Sequence, residues 1–530
     1  LEQIASGEPV EYDGYAIEGA LDLDKLTNLP SLQVDLFYEG PHDNLSEKKR
    51  LITSHVVVTN CSIKNGVNFN NTIFRAPVSF NNTSFQGHAG FRGAVFMEGV
   101  NLSSSQFFRY ADFLGSAFDN HSYFNDSQFY DNAYFEGAAL FDYANFSSSR
   151  FLGDADFECI YFDGIAYFER AGFSLEADFR RAGFNGTAGF WNARFNGKAN
   201  FYDSAFNNFA GFSGAAFNSR ATFLDSTFKD YANFKGAKFE WVADFQDSTF
   251  NGGADFDNSA FKDQADFTGA EFNGIATFLN ATFAITDFTA AQFEKESHFE
   301  DASFIGKTTF ENARFKEDAL FDNAGFMDEL NLARARYSKL FIRWHSIEKG
   351  GLVYDDAAYM SLMKNFKDSG YYEDYDACYY AYRKAHRSQE DWPSVPDWEE
   401  AIRKLIDYPL QWFYGYGTKP FHAFFWSLGI VMAFFLYWRW LGLGGPRDKT
   451  KEGLKDGEEW LDGDLTDILG YSVTVFLSGT KFFIDSPALP RIEGRSRSWM
   501  KKAFILERVL GALFSVLFFI AISGTIVRAS

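Results

Sequence analysis

TAGFWNARFNGKANFYDSAF, residues 187–206, returns phenylalanine at Phe190, Phe195, Phe201 and Phe206, with small residues filling most of the gaps. An amphipathic helix repeats its apolar residues every three or four positions and a flat strand every two, so alternating steps of five and six fit neither. A chain that turns a corner at each step fits them. The period runs back through Phe96, Phe91, Phe85, Phe80, Phe74 and Phe69 and forward to Phe278, with Leu102 and Leu140 standing in where Phe is missing. Between Phe283 and Phe288 a six-residue step shortens to five, and the array resumes through Phe293, Phe299, Phe304, Phe310, Phe315, Phe321 and Phe326. Internal repetition at a fixed period marks a solenoid, and the phenylalanines are read as its core.

The units take the form A-[DNG]-F-x-x-A/S-x-F, as in ADFRRAGF at 177–184, ANFKGAKF at 232–239 and ADFQDSTF at 243–250. This resembles the pentapeptide-repeat family in the variant with Phe at the central position. The resemblance implies a mainly β fold, a right-handed quadrilateral β-helix with the central residue and the small residue two before it pointing inward. Two units make a coil of about 22 residues, so roughly twelve coils fit between Ile52 and Phe326, a rod about 55–60 Å long at one strand spacing per coil. The expected domains are a cap at 1–51, the β-helix at 52–329, a helical collar or linker at 330–412 and a two-helix membrane domain at 413–530. A cap is needed because an open solenoid end invites edge-to-edge pairing. The chain begins at Leu1, read as a removed signal segment or residues lying upstream.

A net charge of −22 argues against nucleic acid as a partner. The family resemblance keeps one alternative open, since acidic pentapeptide rods include mimics of DNA that bind topoisomerase. Cys61, Cys159 and Cys378 show no CxxC spacing and are read as buried free thiols, so no metal site is expected. No Ser-His-Asp, paired-carboxylate or phosphate-loop pattern occurs among the eight scattered histidines and their neighbours, and neither a cofactor nor enzymatic activity is expected.

Past Phe326 the period changes. Tyr359, Leu362, Met363 and Phe366 share one helical face and Tyr375, Cys378, Tyr379 and Tyr382 another, with Gly370 between them as a helix stop. The Tyr-rich run YYEDYDACYYAYRKAHR is read as helix packing in preference to a ligand cage. FHAFFWSLGIVMAFFLYWRWL at 421–441 and VLGALFSVLFFIAISGTIV at 509–527 are each long enough to cross a hydrocarbon core of about 30 Å. Trp426, Tyr437, Trp438, Arg439 and Trp440 suit an interfacial belt. LTDILGYSVTVFLSGTKFFIDSPALP, 465–490, lies between them and has the pattern of a re-entrant loop.

Span, loop and span together resemble the two-helix potassium-channel family over about 110 residues, and ERVLGALFSVLFFIAISGTIVR, 507–528, is similar to its pore-lining helix, with Gly511 and Ser515 on it. The resemblance implies a homotetramer whose filter is built at Ser478, Gly479, Thr480 and Lys481, after the pore-helix threonine Thr474. The filter departs from the family's Val-Gly-Tyr-Gly, keeping only the first glycine; Lys481 stands where the second would free the backbone. In a symmetric assembly Lys481 forms a ring that repels cations, or else it turns away into the headgroups or pairs with Asp485 and no ring forms. Gly415-Tyr416-Gly417 spells the filter string but precedes the first span, and is read as a juxtamembrane turn.

Arg447, Lys449, Lys451, Lys455, Arg491, Arg495, Arg497, Lys501 and Lys502 fall between the spans, against Arg403, Lys404 and Lys419 before the first and Arg528 after the second. This bias puts the connecting loop inside and the rod outside the cell, the orientation of ionotropic glutamate receptors and opposite to that of ordinary potassium channels. Candidate N-glycosylation sites at Asn44, Asn60, Asn70, Asn81, Asn82, Asn101, Asn120, Asn125, Asn145, Asn185 and Asn280 agree with it. The expected partners are membrane lipid, further copies of the chain and an extracellular partner on the rods. Two functions remain open at this point: a channel-like oligomer with a degenerate filter, and a non-conducting surface scaffold or adhesion protein anchored by the channel fold.

Overall fold

The computed structural model describes residues 1–26, 29–34, 47–389, 407–441, 464–480, 484–489 and 497–529. The chain divides into two compact units, Leu1–Ala358 and Tyr359–Ser530.

The first unit is a parallel β-solenoid. Most of its strands are two residues long, and each pairs in parallel with the strand 22 residues on, as in Phe184↔Phe206↔Phe228↔Phe250. Ile63, Phe85, Phe107, Phe129, Phe151, Phe173, Phe195, Phe217, Phe239, Phe261, Phe283, Phe304 and Phe326 form one inward column, thirteen levels in all. Phe190, Phe201 and Phe206 belong to the other three columns. Rings within a column stack face to face, Phe201 on Phe223 at 4.8 Å and 1°. Rings of neighbouring columns meet edge to face, Phe190 on Phe201 at 5.5 Å and 86°. The edge-to-face contacts suit the aromatic quadrupole, and both arrangements bury apolar area.

The alternation of five and six comes from two kinds of corner. In the regular five-residue steps the second residue after Phe is left-handed: Asn192 (φ 56°) after Phe190, and Asp203 (φ 54°) after Phe201. Such a φ favours Gly, Asn and Asp, and Gly214 (φ 68°) fills the same place one unit on. The six-residue step from Phe195 to Phe201 contains no residue with positive φ. The small residues beside Phe also point in. Ala199 and Ser204 are buried, and the Ser204 hydroxyl donates to Phe179 O at 2.7 Å, so its burial leaves no orphan donor.

The shortened step between Phe283 and Phe288 is absorbed at one corner. Pairing at an offset of 22 (Phe261↔Phe283) becomes 21 (Gln264↔Ile285), and the chain crosses that corner as continuous strands Ala260–Asp266 and Thr282–Asp287. The core is uninterrupted, since Phe261–Phe283 and Phe267–Phe288 stack at 4.9 and 4.8 Å. A second slip follows between Phe315 and Asp318, in the last turn, where Leu330, Leu332, Leu340 and Ile342 replace Phe in the core.

The N-terminal residues continue the columns downward. Val10 lies under Val56, Ile17 under Ile63 and Leu21 under Val67. Strand Glu47–Ile52 completes the turn, with Ile52 under Phe74, and pairs antiparallel with Ser31–Val34. Helix α1 (Glu2–Ser6) buries Ile4, and α2 (Trp344–Glu348) buries Trp344 and Ile347 beyond the last turn. Cys61 is buried, but Cys159 is only half-buried, because it occupies a left-handed corner (φ 56°).

α3 (Asp356–Asp368), which starts in the last residues of the first unit, and α4 (Tyr372–Gln389) form a hairpin broken at Gly370 (φ 76°). Tyr359, Leu362, Met363, Phe366 and Cys378 are its buried side chains. Among the described residues that follow, 407–414 are helical, and then come α5 (Pro420–Leu441), α6 (Leu465–Leu477) and α7 (Arg497–Ala529). α5 and α7 are long and apolar enough to cross a membrane, over Phe421–Leu441 and Ser498–Ser523. The second stretch starts eleven residues before Val509, the start read from sequence, because the helix runs on through Met500 and Phe504, both buried against Trp438, Ile468 and Tyr471.

Candidate functional site

The candidate site is the junction of α5, α6 and α7. Two apolar clusters hold it: Trp438, Leu441, Ile468, Tyr471, Val475, Met500 and Phe504, and, further along, Ala423, Val431, Phe476 and Phe514. α6 carries its apolar residues at helical spacing, with Ile468, Tyr471, Ser472, Val475 and Phe476 buried, and Asp464 caps it by accepting from Leu465 N at 2.7 Å.

Glycine sets how closely α6 and α7 approach. A Cβ on Gly511 would lie 2.0 Å from Phe476 O, and one on Gly479 would lie 2.2 Å from Arg508 O and 2.6 Å from Ala512 N. Both contacts are with backbone, so neither can be relieved by a side chain swinging aside.

The residues assigned to the filter fall as follows. Thr474, on α6, returns its hydroxyl to Gly470 O at 2.7 Å. Ser478 is buried and donates to Val475 O at 2.8 Å. Gly479 sits against α7, and Thr480 is half-buried beside it. Asp485 is exposed and Ser515 half-buried. Lys481 lies outside the described residues. So do most of the basic residues of the connecting loop, Arg447, Lys449, Lys451, Lys455, Arg491 and Arg495, as well as Arg403, Lys404 and Asn44. The structure thus gathers Ser478, Gly479 and Gly511 at one helix contact and leaves Asp485 at the surface.

One member of this junction was missed from sequence. Glu507 is fully buried on α7, where Trp438 Nε1 donates to its Oε2 at 2.8 Å and Ser472 Oγ lies 2.5 Å from its Oε1. The signal was present: an acidic residue inside a membrane-length helix is costly and rarely without a role. It was obscured by starting the span at Val509.

Gly415-Tyr416-Gly417 is a turn in which all three residues are left-handed, with φ of 59°, 57° and 88°. Tyr416 pays for that strain through its hydroxyl, which donates to Asp407 Oδ2 at 2.6 Å. Arg383 and Arg387, on α4, reach the same carboxylate at 2.7 and 3.2 Å. Burial pushes Asp407 up, but Tyr416 and Arg383 outweigh it and hold the carboxyl below its ordinary value. The filter-like string is therefore a clasp between α4 and the residues just before α5.

Comparison with known proteins bears on the first unit. Residues 59–106, 190–238, 234–282 and 288–336 match the family model described as Pentapeptide repeats (9 copies). The rod is a pentapeptide-repeat solenoid. No curated protein and no solved structure matches the chain.

Among the described residues of the pentapeptide solenoid, Asp156, Glu158 and Asp178 form an acidic group whose carboxylates lie within 4.8 Å of one another. Arg180 already fills it, at 2.6 Å from both Glu158 and Asp178, and Arg181 adds to Glu158. Asp156 is left out of these pairs. Burial, reinforced by Asp178, Glu136 and Glu158, pushes its carboxyl up to about 6, against the Glu158 backbone N–H, which favours the charged form. A raised carboxyl favours the folded state fully below its unfolded value near 3.9, and that advantage is lost as the pH rises through about 6. Asp156→Asn keeps the acceptor for Glu158 N and removes the charge. We expect thermal melting of the rod, followed by circular dichroism, to show the variant about 1–2 kcal/mol more stable than wild type at pH 8, the gain fading below about pH 4; partial solvation keeps it under the value of the full shift.

The sequon asparagines of the solenoid differ in how their amides are used. Asn81, Asn82 and Asn185 donate through Nδ2, to Ser103 Oγ at 2.7 Å, Asn60 Oδ1 at 2.7 Å and Asp163 Oδ1 at 2.9 Å. Asn101 and Asn145 are bonded through Oδ1, which accepts from Ser103 N and Ser147 N at 3.0 and 2.9 Å. A glycan is attached at Nδ2, so Asn101 and Asn145 are the better placed of these five.

Proposed function

We propose that the protein is an oligomeric, channel-like membrane protein that carries pentapeptide solenoids outside the cell. The observation that supports this most is the seating of α6, a short apolar helix, between two helices long enough to span a membrane, with Ser472 bonded to Val431 O on one and Glu507 on the other. Span, short helix and span is the arrangement from which two-helix channels build a pore, one element per copy, most simply four. An apolar groove of about 380 Å³ lined by Ala433, Phe434, Tyr437, Trp499, Ala503 and Leu506, with Lys502 at its edge, suits contact with lipid tails and an anionic headgroup. The basic bias of the connecting loop and the free Nδ2 positions of Asn101 and Asn145 support an external rod. We propose no enzymatic activity and no nucleic-acid partner.

The second reading is a non-conducting surface scaffold. Its support is the filter string, where Ser478-Gly479-Thr480-Lys481 lacks the second glycine that a carbonyl-lined filter uses. Imaging of single particles in detergent tests the first proposal: rotational symmetry around a central conduit is expected, and a monomer would overturn it. Current across planar bilayers containing the full chain then separates conduction from scaffold, the absence of current under any ionic gradient favouring the scaffold.

A further inference from the structure

The hydrogen atoms around Glu507 do not balance if its side chain is charged. Ser472 Oγ lies 2.5 Å from Glu507 Oε1 and 3.0 Å from Val431 O. A serine hydroxyl has one hydrogen, and a carbonyl oxygen can only accept. With Glu507 as a carboxylate, the single Ser472 proton serves one of these neighbours and leaves the other as oxygen facing oxygen in a buried site. With Glu507 as a carboxylic acid every contact is matched: Glu507 O–H donates to Ser472 Oγ, Ser472 O–H donates to Val431 O, and Trp438 Nε1–H donates to Glu507 Oε2 at 2.8 Å.

Among the described residues no compensating cation is at hand. On α5 the residue facing Glu507 is the neutral Trp438, and Arg439 is exposed. On α6 the facing titratable group is Tyr471, whose hydroxyl donates to Ala488 O at 3.1 Å, and Asp467 is exposed. On α7 the Arg508 guanidinium lies over the Phe504 ring at 5.7 Å, and Lys501 and Lys502 are exposed. Among the described residues no Lys, Arg or His is paired with Glu507.

We propose that Glu507 is a proton-binding site: its bound proton completes a relay from α7 through Ser472 to α5 and locks α5, α6 and α7 together, and release of that proton to water breaks the relay and loosens α6. This rests on the three-helix packing and not on conduction. A lock that needs its proton is complete in acid and lost as the pH rises, the sign opposite to that of a carboxylate held charged by a cation.

The test uses the full chain in lipid nanodiscs. Infrared difference spectra between wild type and Glu507→Gln are expected to show a protonated-carboxyl C=O stretch in the wild type that the variant lacks, weakening as the pH is raised. Thermal melting of the helical signal is expected to fall by several degrees over the same range in the wild type and to stay flat in Glu507→Gln. The amide reproduces the acid's bonds, donating to Ser472 and accepting from Trp438. Identical spectra, or parallel melting profiles, overturn the proposal. Should Glu507→Gln fail to fold, Ser472→Ala is the second variant: it removes the partner but not the acid, so the band is expected to persist at a shifted frequency, and an unshifted or absent band overturns the proposal. Neither readout involves ion flux, so a protein that does not conduct leaves this test intact.

Discussion

Phe201→Asp is expected to open the solenoid at its middle. Phe201 is fully buried, stacked on Phe179 at 4.9 Å and on Phe223 at 4.8 Å, and it meets Phe190 and Phe212 edge to face at 5.5 and 5.4 Å. Removing a buried Phe ring costs about 3–5 kcal/mol through lost transfer energy and the cavity left behind. A carboxylate in its place has no donor among the surrounding rings, so it is either buried unpaired or protonated, a further cost of several kcal/mol. The sum is comparable to the whole stability of an ordinary domain. Because solenoid stability is a sum over neighbouring turns, the damage should be local: limited proteolysis is expected to cut near residues 190–212 and release two protected fragments. Phe201→Leu is the control, expected to cost only about 1–2 kcal/mol, since Leu140 and Leu102 already occupy stacked positions and are fully buried. Wild-type protease resistance in Phe201→Asp would mean that Phe201 is not in a stacked core.

The Phe period made the solenoid legible because each inward position has the same four-sided surroundings, so one residue type suits them all. The shortened step at Phe283–Phe288 was legible for the same reason. The ends were harder. Val10, Ile17 and Leu21 lie in the same columns as Val56, Ile63 and Val67, but the intervening strands Ser31–Val34 and Glu47–Ile52 displace them from the 22-residue register, so no period connects them. The last turn uses Leu330, Leu332, Tyr337, Leu340 and Ile342, and a second slip falls there; without phenylalanine the sequence gives no mark of it. In the helical unit, hydropathy located α5 and α7 because a long apolar run needs no partner to be recognised. The contacts among α5, α6 and α7 are a different kind of fact. That Gly511 touches Phe476 O and that Glu507 meets Ser472 and Trp438 depend on which faces meet after folding, and residues 35 or more positions apart carry no local pattern of that.

Gly511→Val should separate α6 from α7. Its Cβ would stand 2.0 Å from Phe476 O, 2.7 Å from the Phe476 carbonyl carbon and 3.0 Å from its Cα, all backbone atoms of a helix, so relief requires α6 to move as a body. Overpacking a closed contact costs about 1–3 kcal/mol and more when backbone must shift, and helices in lipid depend on small residues for close approach because apolar burial does not drive them together there. The displacement would also pull Gly479 from Arg508 O and Ser472 from Glu507, since Gly479 lies in the turn that directly follows α6 and all three contacts are made with α7. The expected result is a melting temperature lowered by well over five degrees in detergent, with the Trp438 fluorescence environment altered, and Gly511→Ala intermediate. Gly470→Ala is the control on the same short helix: a Cβ there meets nothing within 4 Å, and replacing a helical glycine gains up to about 1 kcal/mol, so it should melt no lower than wild type. If Gly511→Ala and Gly470→Ala behave alike, the backbone contact between α6 and α7 is absent in solution, and with it the geometry that brings Ser472 to Glu507.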